Sequence, residues 1–411
     1  MKTKAVRLYG KKDMRLEEFE LPKIREDEIL ARVVTDSLCM SSYKAMLQAS
    51  DHRCIPDDIV ENPIIMGHEL CAVIEQVGAK LSGKFKTGDV FSAQPKMYFG
   101  DEITAPGYSY TTYGGNATYI IIPAEVIRDG YLLPFSGDAH YKASMAEPIS
   151  CIVSAFRSAY HLAPNNKDHI MGLKEGGSLA ILAGCGPMGL GAAEVAMAMT
   201  PRPARIVLTD IDEYRVSRAK ALLKSKNGVQ VEVFNTSDVD DIPALLGNNF
   251  DDVLIMAPVP QVIELADAIS GIDSCINFFA GPTQKDFYAR VNFYDVHYNY
   301  KHIIGTSGGD IDDMKEALQL IETGAVDVSM LVSHIGGLNC AAEATLNLPS
   351  IPGSKKLVYC GIDLPLAAIE DFDKLGQTDP LFAELHKICA ANNMLWSAQA
   401  EQYLLENAKK I

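Results

Sequence analysis

The feature that most limits what this chain can become is a glycine pattern between an apolar run and a helix-forming run. Residues 178–183 lead into Gly184-Cys185-Gly186-Pro187-Met188-Gly189, and residues 190–199 follow, rich in the helix formers Ala and Met. A strand that turns on glycine and restarts as a helix leaves the first helical N–H groups unpaired. Together with the helix dipole, these attract phosphate. In this pattern Gly184 permits the tight turn, Gly186 lets backbone approach a pyrophosphate, and Gly189 lets helix and strand pack closely. Pro187 and Met188 complete the loop, proline suiting a helix's first position. A second apolar run at 205–209 ends at Asp210, 26 positions after Gly184. A carboxylate there accepts hydrogen bonds from ribose hydroxyls and repels a 2′-phosphate, which favours NAD(H). NADP(H) remains admissible because Arg215 lies nearby. The competing readings are a glycine turn without a cofactor and an Asp210 that only caps a helix.

The same texture continues along the chain. Apolar runs at 178–183, 205–209, 229–234, 252–257, 275–279 and 302–304 alternate with helical stretches. Such runs suit parallel strands covered on both faces, so six of them spell a doubly wound α/β sheet. Residues up to about Pro148 read as short strands broken by turns such as Thr87-Gly88-Asp89 and Tyr113-Gly114-Gly115-Asn116. After Gly308-Gly309 come a helix near 312–323 and a strand near 356–359. Beyond Gly361 the chain reads as helical, with Asp379-Pro380 as a helix start and apolar stripes at Leu381, Leu385, Ile388 and at Trp396, Ala400, Tyr403, Leu404.

Three residues ahead of the glycine loop carry metal-ligand chemistry. Cys39 ends a β-run, His68 sits in Gly67-His68-Glu69, and Glu147 precedes Pro148. One thiolate, one imidazole and one carboxylate suit Zn²⁺ and leave a fourth position open, as a catalytic metal requires. Taken singly each has a plainer reading: a buried small cysteine, a satisfied core histidine, a loop acid. Their order before a dinucleotide pattern makes the combination informative.

These segments, with Gly114-Gly115-Asn116-Ala117-Thr118-Tyr119, resemble the zinc-containing medium-chain dehydrogenases, and Glu147-Pro148 resembles the sorbitol dehydrogenase branch. Met1–Arg15, residues 35–39, Asn292–Gly309 and the long tail resemble sugar-phosphate reductases within that family. The resemblance implies a GroES-like β-rich catalytic domain at 1–149 and 310–361, a Rossmann NAD-binding domain at 150–309 with a six-stranded parallel sheet, and a helical C-terminal extension at 362–411. It implies a metal held by Cys39, His68 and Glu147, with Glu69 behind them or exchanging in. Ser41 matches the hydroxyl that passes a proton to substrate oxygen. Lys356 matches a basic position near the pyrophosphate, and Gly281 one on the nicotinamide side. The implied reaction moves a hydride between NAD(P)(H) and a polyol/ketose pair, such as a sugar phosphate or a free polyol.

The chain departs from the family in four places. Residues 89–116 contain no cysteine, so one catalytic zinc and no structural zinc is expected. Ser42 stands where an aspartate often supports the ligands. Lys44 replaces a relay histidine, leaving a proton relay, a phosphate contact and a solvated lysine all open. The extra segment 48–61 carries Arg53, which is suited to a phosphate.

Composition narrows the partners. A formal charge of −16 argues against nucleic acid. No apolar stretch approaches the roughly 20 residues of a membrane span, and the start lacks a signal-peptide core. Nine scattered cysteines without a CxxC pair suit a reducing compartment. The expectation is a cytoplasmic enzyme acting on a small molecule without membrane or nucleic-acid partners, assembled as a homodimer or homotetramer.

Overall fold

The structure, a computed structural model, describes residues 1–165 and 167–411. Its contacts divide the chain into two compact units, Met1–Glu147 with Val328–Ile411, and Pro148–Asp327.

In the first unit an eight-stranded sheet is built around strand Ile29–Leu38, which pairs antiparallel with Leu70–Val77, Tyr119–Ile122 and Lys355–Tyr359. Lys355–Tyr359 pairs in turn with Val332–Gly337. The late segment thus completes a sheet begun early in the chain. Its core shows the same union, since Val33, Ile64, Phe91 and Ile120 cluster with Leu338, Val358 and Cys360. Each fully buried Ile or Leu of this kind contributes about 1.5–3 kcal/mol. The tail packs on this unit through helices Pro380–Ala391 and Ala398–Asn407, with Asp379 accepting from the Leu381 N–H at 2.9 Å. Trp396 and Leu404 are wholly buried there.

The second unit carries a six-stranded parallel sheet in the order Gln230–Asn235, Arg205–Asp210, Ser178–Leu182, Phe250–Ile255, Ser270–Phe278, His302–Gly305. This is the doubly wound order with its switch point beside Ser178–Leu182. The apolar runs behave as their composition requires: the central strands Ser178–Leu182 and Arg205–Asp210 are buried nearly throughout, while Gln230–Asn235, at an edge, is only half-buried. Helix Ile311–Glu322 lies within this compact unit, which runs to Asp327. The helix is capped at Asp310 and tied by Asp313 to Arg157 at 2.9 Å. Among the described residues no helix is long and apolar enough to cross a membrane.

His334 sits in the first unit's sheet with its Nδ1 2.9 Å from the Ser333 hydroxyl. Burial, helped by the Lys356 ammonium, lowers its pKa to about 4. In the unfolded chain it titrates near about 6.5, so between these values the unfolded state binds a proton that the folded state refuses. The resulting stability is complete above about pH 6.5 and is lost as pH falls toward 4, by up to roughly 3 kcal/mol. His334→Gln is expected to flatten this acid-side fall in melting temperature. Parallel pH profiles for variant and parent would show that His334 has no part in it.

Candidate active site

Strand Ile29–Leu38 delivers Cys39 to the start of helix Met40–Gln48, and the turn before Leu70–Val77 delivers His68 and Glu69. The ligand atoms of Cys39, His68 and Glu69 all lie within 4.8 Å of one another. Two backbone bridges bring the motifs together: Gly115 N–H donates to Gly67 O at 2.7 Å, and Ser37 N–H to Glu69 O at 3.1 Å. Asp36 sits at the junction, accepting from the Asn116 side chain at 2.6 Å, and burial pushes its carboxyl up to about 7. Only glycine fits here. A Cβ on Gly115 would meet Asp36 Oδ1 at 2.0 Å, and Gly67 has φ +93°.

The side chains around His68 fix its ring. Ser41 Oγ lies 3.1 Å from Nε2 and 3.0 Å from Cys39 Sγ, while Ser42 Oγ lies 3.3 Å from Nδ1. Ser42 thus provides the outer hydrogen bond that orients an imidazole and leaves Nε2 toward the thiol. Tyr108 tilts against the ring at 5.3 Å and also stacks with His52 at 5.1 Å.

Glu147 is the second residue of helix Ala146–Ser158. It falls outside the group gathered within 4.8 Å, where Glu69 stands instead, yet its charge acts on Cys39, Tyr108 and Lys355. Lys44 is half-buried on helix Met40–Gln48.

Lys355 was not singled out by the sequence reading. It is buried and donates to both Glu69 oxygens, at 2.5 and 2.7 Å. Burial alone would raise the Glu69 carboxyl, but Lys355 and His68 hold it below its ordinary value. Burial would lower the Lys355 ammonium, and Glu69 with Cys39 raises it. Both therefore stay ionised. Burial and the Glu69 charge push the Cys39 thiol up to about 12. Lys356, the expected cofactor base, points to the other face of its strand. Its ammonium donates to the carbonyls of Ile351, Pro352 and Ser354. These contacts tie it to the preceding turn.

In the second unit the glycine loop opens helix Pro187–Ala198. A Cβ on Gly189 would lie 1.8 Å from Gly184 O, whereas one on Gly186 would meet nothing within 4 Å. The third glycine is thus a packing requirement and the second faces open space. The left-handed residue of the turn is Ala183, at φ +52°. Asp210 is buried at its strand end, accepting from Cys185 N at 3.2 Å and Ile211 N at 2.9 Å. Gly281 is exposed, just past strand Ser270–Phe278.

Comparison with known proteins follows this geometry. Residues 25–129 match the alcohol dehydrogenase GroES-like domain family. A mannitol-1-phosphate 5-dehydrogenase of Aliivibrio fischeri is 47% identical over 98% of this chain and 97% of its own. An L-sorbose 1-phosphate reductase of Klebsiella pneumoniae is 43% identical over 100% of this chain and 98% of its own. The chain belongs to the zinc-type medium-chain dehydrogenases. Among solved structures, a Sinorhizobium meliloti protein assigned as a zinc-binding dehydrogenase and bound to NADP superposes with a TM-score of 0.73 at 17% identity, covering 88% of this chain and 100% of its own. As a medium-chain dehydrogenase the chain is an oxidoreductase, and its parallel sheet is the cofactor-binding fold of that family.

Removing Lys355 tests how much its pairing matters. Lys355→Met leaves Glu69 as a buried, uncompensated charge and is expected to cost about 3–5 kcal/mol in urea denaturation. Adding Glu69→Gln should recover much of that loss. A single Lys355→Met variant as stable as the parent would remove the pair from the account.

Proposed function

We propose that the chain interconverts a ketose phosphate and the corresponding hexitol phosphate, using NAD(H) and one zinc ion held by Cys39, His68 and Glu147. The observation that carries this reading is the Cys39–His68–Glu69 cluster in a chain similar, end to end, to two oxidoreductases named for hexose or hexitol phosphates. The donor set fits zinc: a thiol, an imidazole with its far nitrogen held, and acidic groups in a buried setting. When bound, zinc supplies Lewis acidity at the substrate oxygen and the nicotinamide supplies the hydride.

The residues divide the remaining work. Ser41, between Cys39 and His68, holds the proton that the reduced oxygen takes up. Glu69, fixed by Lys355, keeps negative charge beside the metal ligands. Gly184, Gly186, Pro187, Met188 and Gly189 seat the pyrophosphate, and Asp210 receives the adenosine ribose, with Gly281 on the nicotinamide side. Lys44 is kept as a proton relay or a phosphate contact. A homodimer or homotetramer is part of this proposal. It is supported by exposed Phe293, Tyr294, Tyr298 and Ile303 around the edge strand His302–Gly305, since large exposed apolar patches mark association surfaces.

Arg53 is proposed to hold the phosphate. It is exposed beside His52, whose pKa is lowered by burial and by the Arg53 charge, and His52 stacks on Tyr108 against His68. NADH oxidation by the zinc-loaded enzyme is to be followed with L-sorbose 1-phosphate, D-fructose 6-phosphate and L-sorbose. The first two place the phosphate next to the carbonyl and at the far end. The expected result is a preference of roughly 10- to 100-fold in kcat/KM for a phosphate ester, the worth of a charge-assisted hydrogen bond or two. Arg53→Ala should erase most of that preference while leaving L-sorbose turnover unchanged. Equal activity on phosphorylated and free ketose would favour a free-polyol dehydrogenase, and an intact preference in Arg53→Ala would place the phosphate elsewhere.

A further inference from the structure

Helix His140–Ser144 starts without a local cap: its N-cap residue is Ala139, whose side chain offers no acceptor. The first N–H groups of a helix need partners. Here they find one far along the chain, in the C-terminal extension. Glu401, nearly wholly buried on helix Ala398–Asn407, accepts from His140 N at 2.6 Å through one oxygen and from Tyr141 N at 2.8 Å through the other. The first oxygen also lies 3.0 Å from His140 Nδ1, and the second accepts from the Tyr359 hydroxyl at 2.9 Å. That hydroxyl in turn accepts from Trp396 Nε1 at 2.7 Å. A carboxylate at a helix N-terminus also complements the helix dipole.

Three chain segments that carry site residues leave from this junction. The capped helix leads through Met145 directly into Ala146 and Glu147. Tyr359 ends the strand that begins with Lys355. Tyr359 is also the cross-strand partner of Thr35, on the strand that delivers Cys39. Thr35 is bonded to the capped helix as well: its hydroxyl meets the Ser144 hydroxyl and donates to His140 O at 3.3 Å. Ser144 Oγ donates back to Thr35 O at 3.2 Å. One carboxylate from the tail therefore ties together the runs ending in Glu147, Cys39 and Lys355.

We propose that Glu401 is a positioning residue for the metal centre, and that the C-terminal extension sets zinc affinity by capping helix His140–Ser144 and so fixing the segment that leads into Glu147. The extension works inside its own chain, as a remote part of the ligand scaffold. The inference rests on Glu147 being a ligand, as proposed above.

The test measures zinc affinity of the full-length chain by competition with a chromophoric chelator, for Glu401→Ala, Glu401→Gln and Glu147→Ala beside the parent. NADH binding, followed by nicotinamide fluorescence, reports on the cofactor unit, and circular dichroism confirms folding. Groups behind metal ligands change affinity by about 10- to 100-fold. The expected loss is of that order in Glu401→Ala and smaller in Glu401→Gln, whose amide keeps one acceptor oxygen, with NADH binding unchanged in both. A folded Glu401→Gln variant with parental zinc affinity overturns the proposal, and it decides the matter should Glu401→Ala fail to fold. A general loss of NADH binding alongside zinc overturns it too, because that is the mark of a merely structural role. Unchanged zinc affinity in Glu147→Ala overturns the ligand reading, and this proposal with it, whereas loss in Glu147→Ala alone overturns only the role of Glu401.

Discussion

The site depends on an ion pair shut away from water. Lys355 and Glu69 are both buried, and the ammonium meets both carboxylate oxygens. Neither charge would be tolerable there alone, since desolvation of an isolated ion costs several kcal/mol. Paired, they bring strand Lys355–Tyr359 against the His68-Glu69 turn and hold a negative charge beside Cys39 and His68. A buried pair of this kind need not add net stability. What it does is make one arrangement of the surrounding groups much better than the others, because every alternative leaves a charge stranded.

The surroundings follow the same logic at shorter range. Gly67 and Gly115 have no side chain because the Asp36 carboxylate and the Asn116 backbone occupy that space. Ser42 holds His68 from behind, and Ser41 bridges its front to Cys39. Glu401 repeats the device from the tail, where a buried carboxylate earns its place by satisfying N–H groups that local sequence leaves open. The groups of the Cys39–His68–Glu69 cluster are therefore held in place by polar contacts that reach them from distant parts of the chain.

This explains which features could be read from the sequence. The six parallel strands and the glycine loop were legible because their signals are local: apolar runs, turn glycines, and a helix following at once. Cys39, His68 and Glu69 could be singled out because short motifs frame them, and the fold brings the three together. Lys355 could not, since its role appears only when a strand 286 positions further on is laid beside Glu69. Adjacent lysines also look alike in sequence, and strand alternation alone decides that Lys355 faces Glu69 while Lys356 clasps a turn. Helix Ile311–Glu322 is tied to the second unit by contacts such as Asp313 with Arg157, which join residues 156 positions apart. The cap of helix His140–Ser144 was not legible either, because it comes from Glu401, 261 positions beyond His140.

The central claim is that one zinc ion is held by a single thiolate together with imidazole and carboxylate groups. X-ray absorption at the zinc edge of the purified chain, with metal content determined on the same sample, tests it most directly. The account predicts about one zinc per chain, with one sulfur near 2.3 Å and the remaining ligands nitrogen or oxygen near 2.0–2.2 Å. A shell of several sulfurs, or a chain active without bound metal, would contradict it.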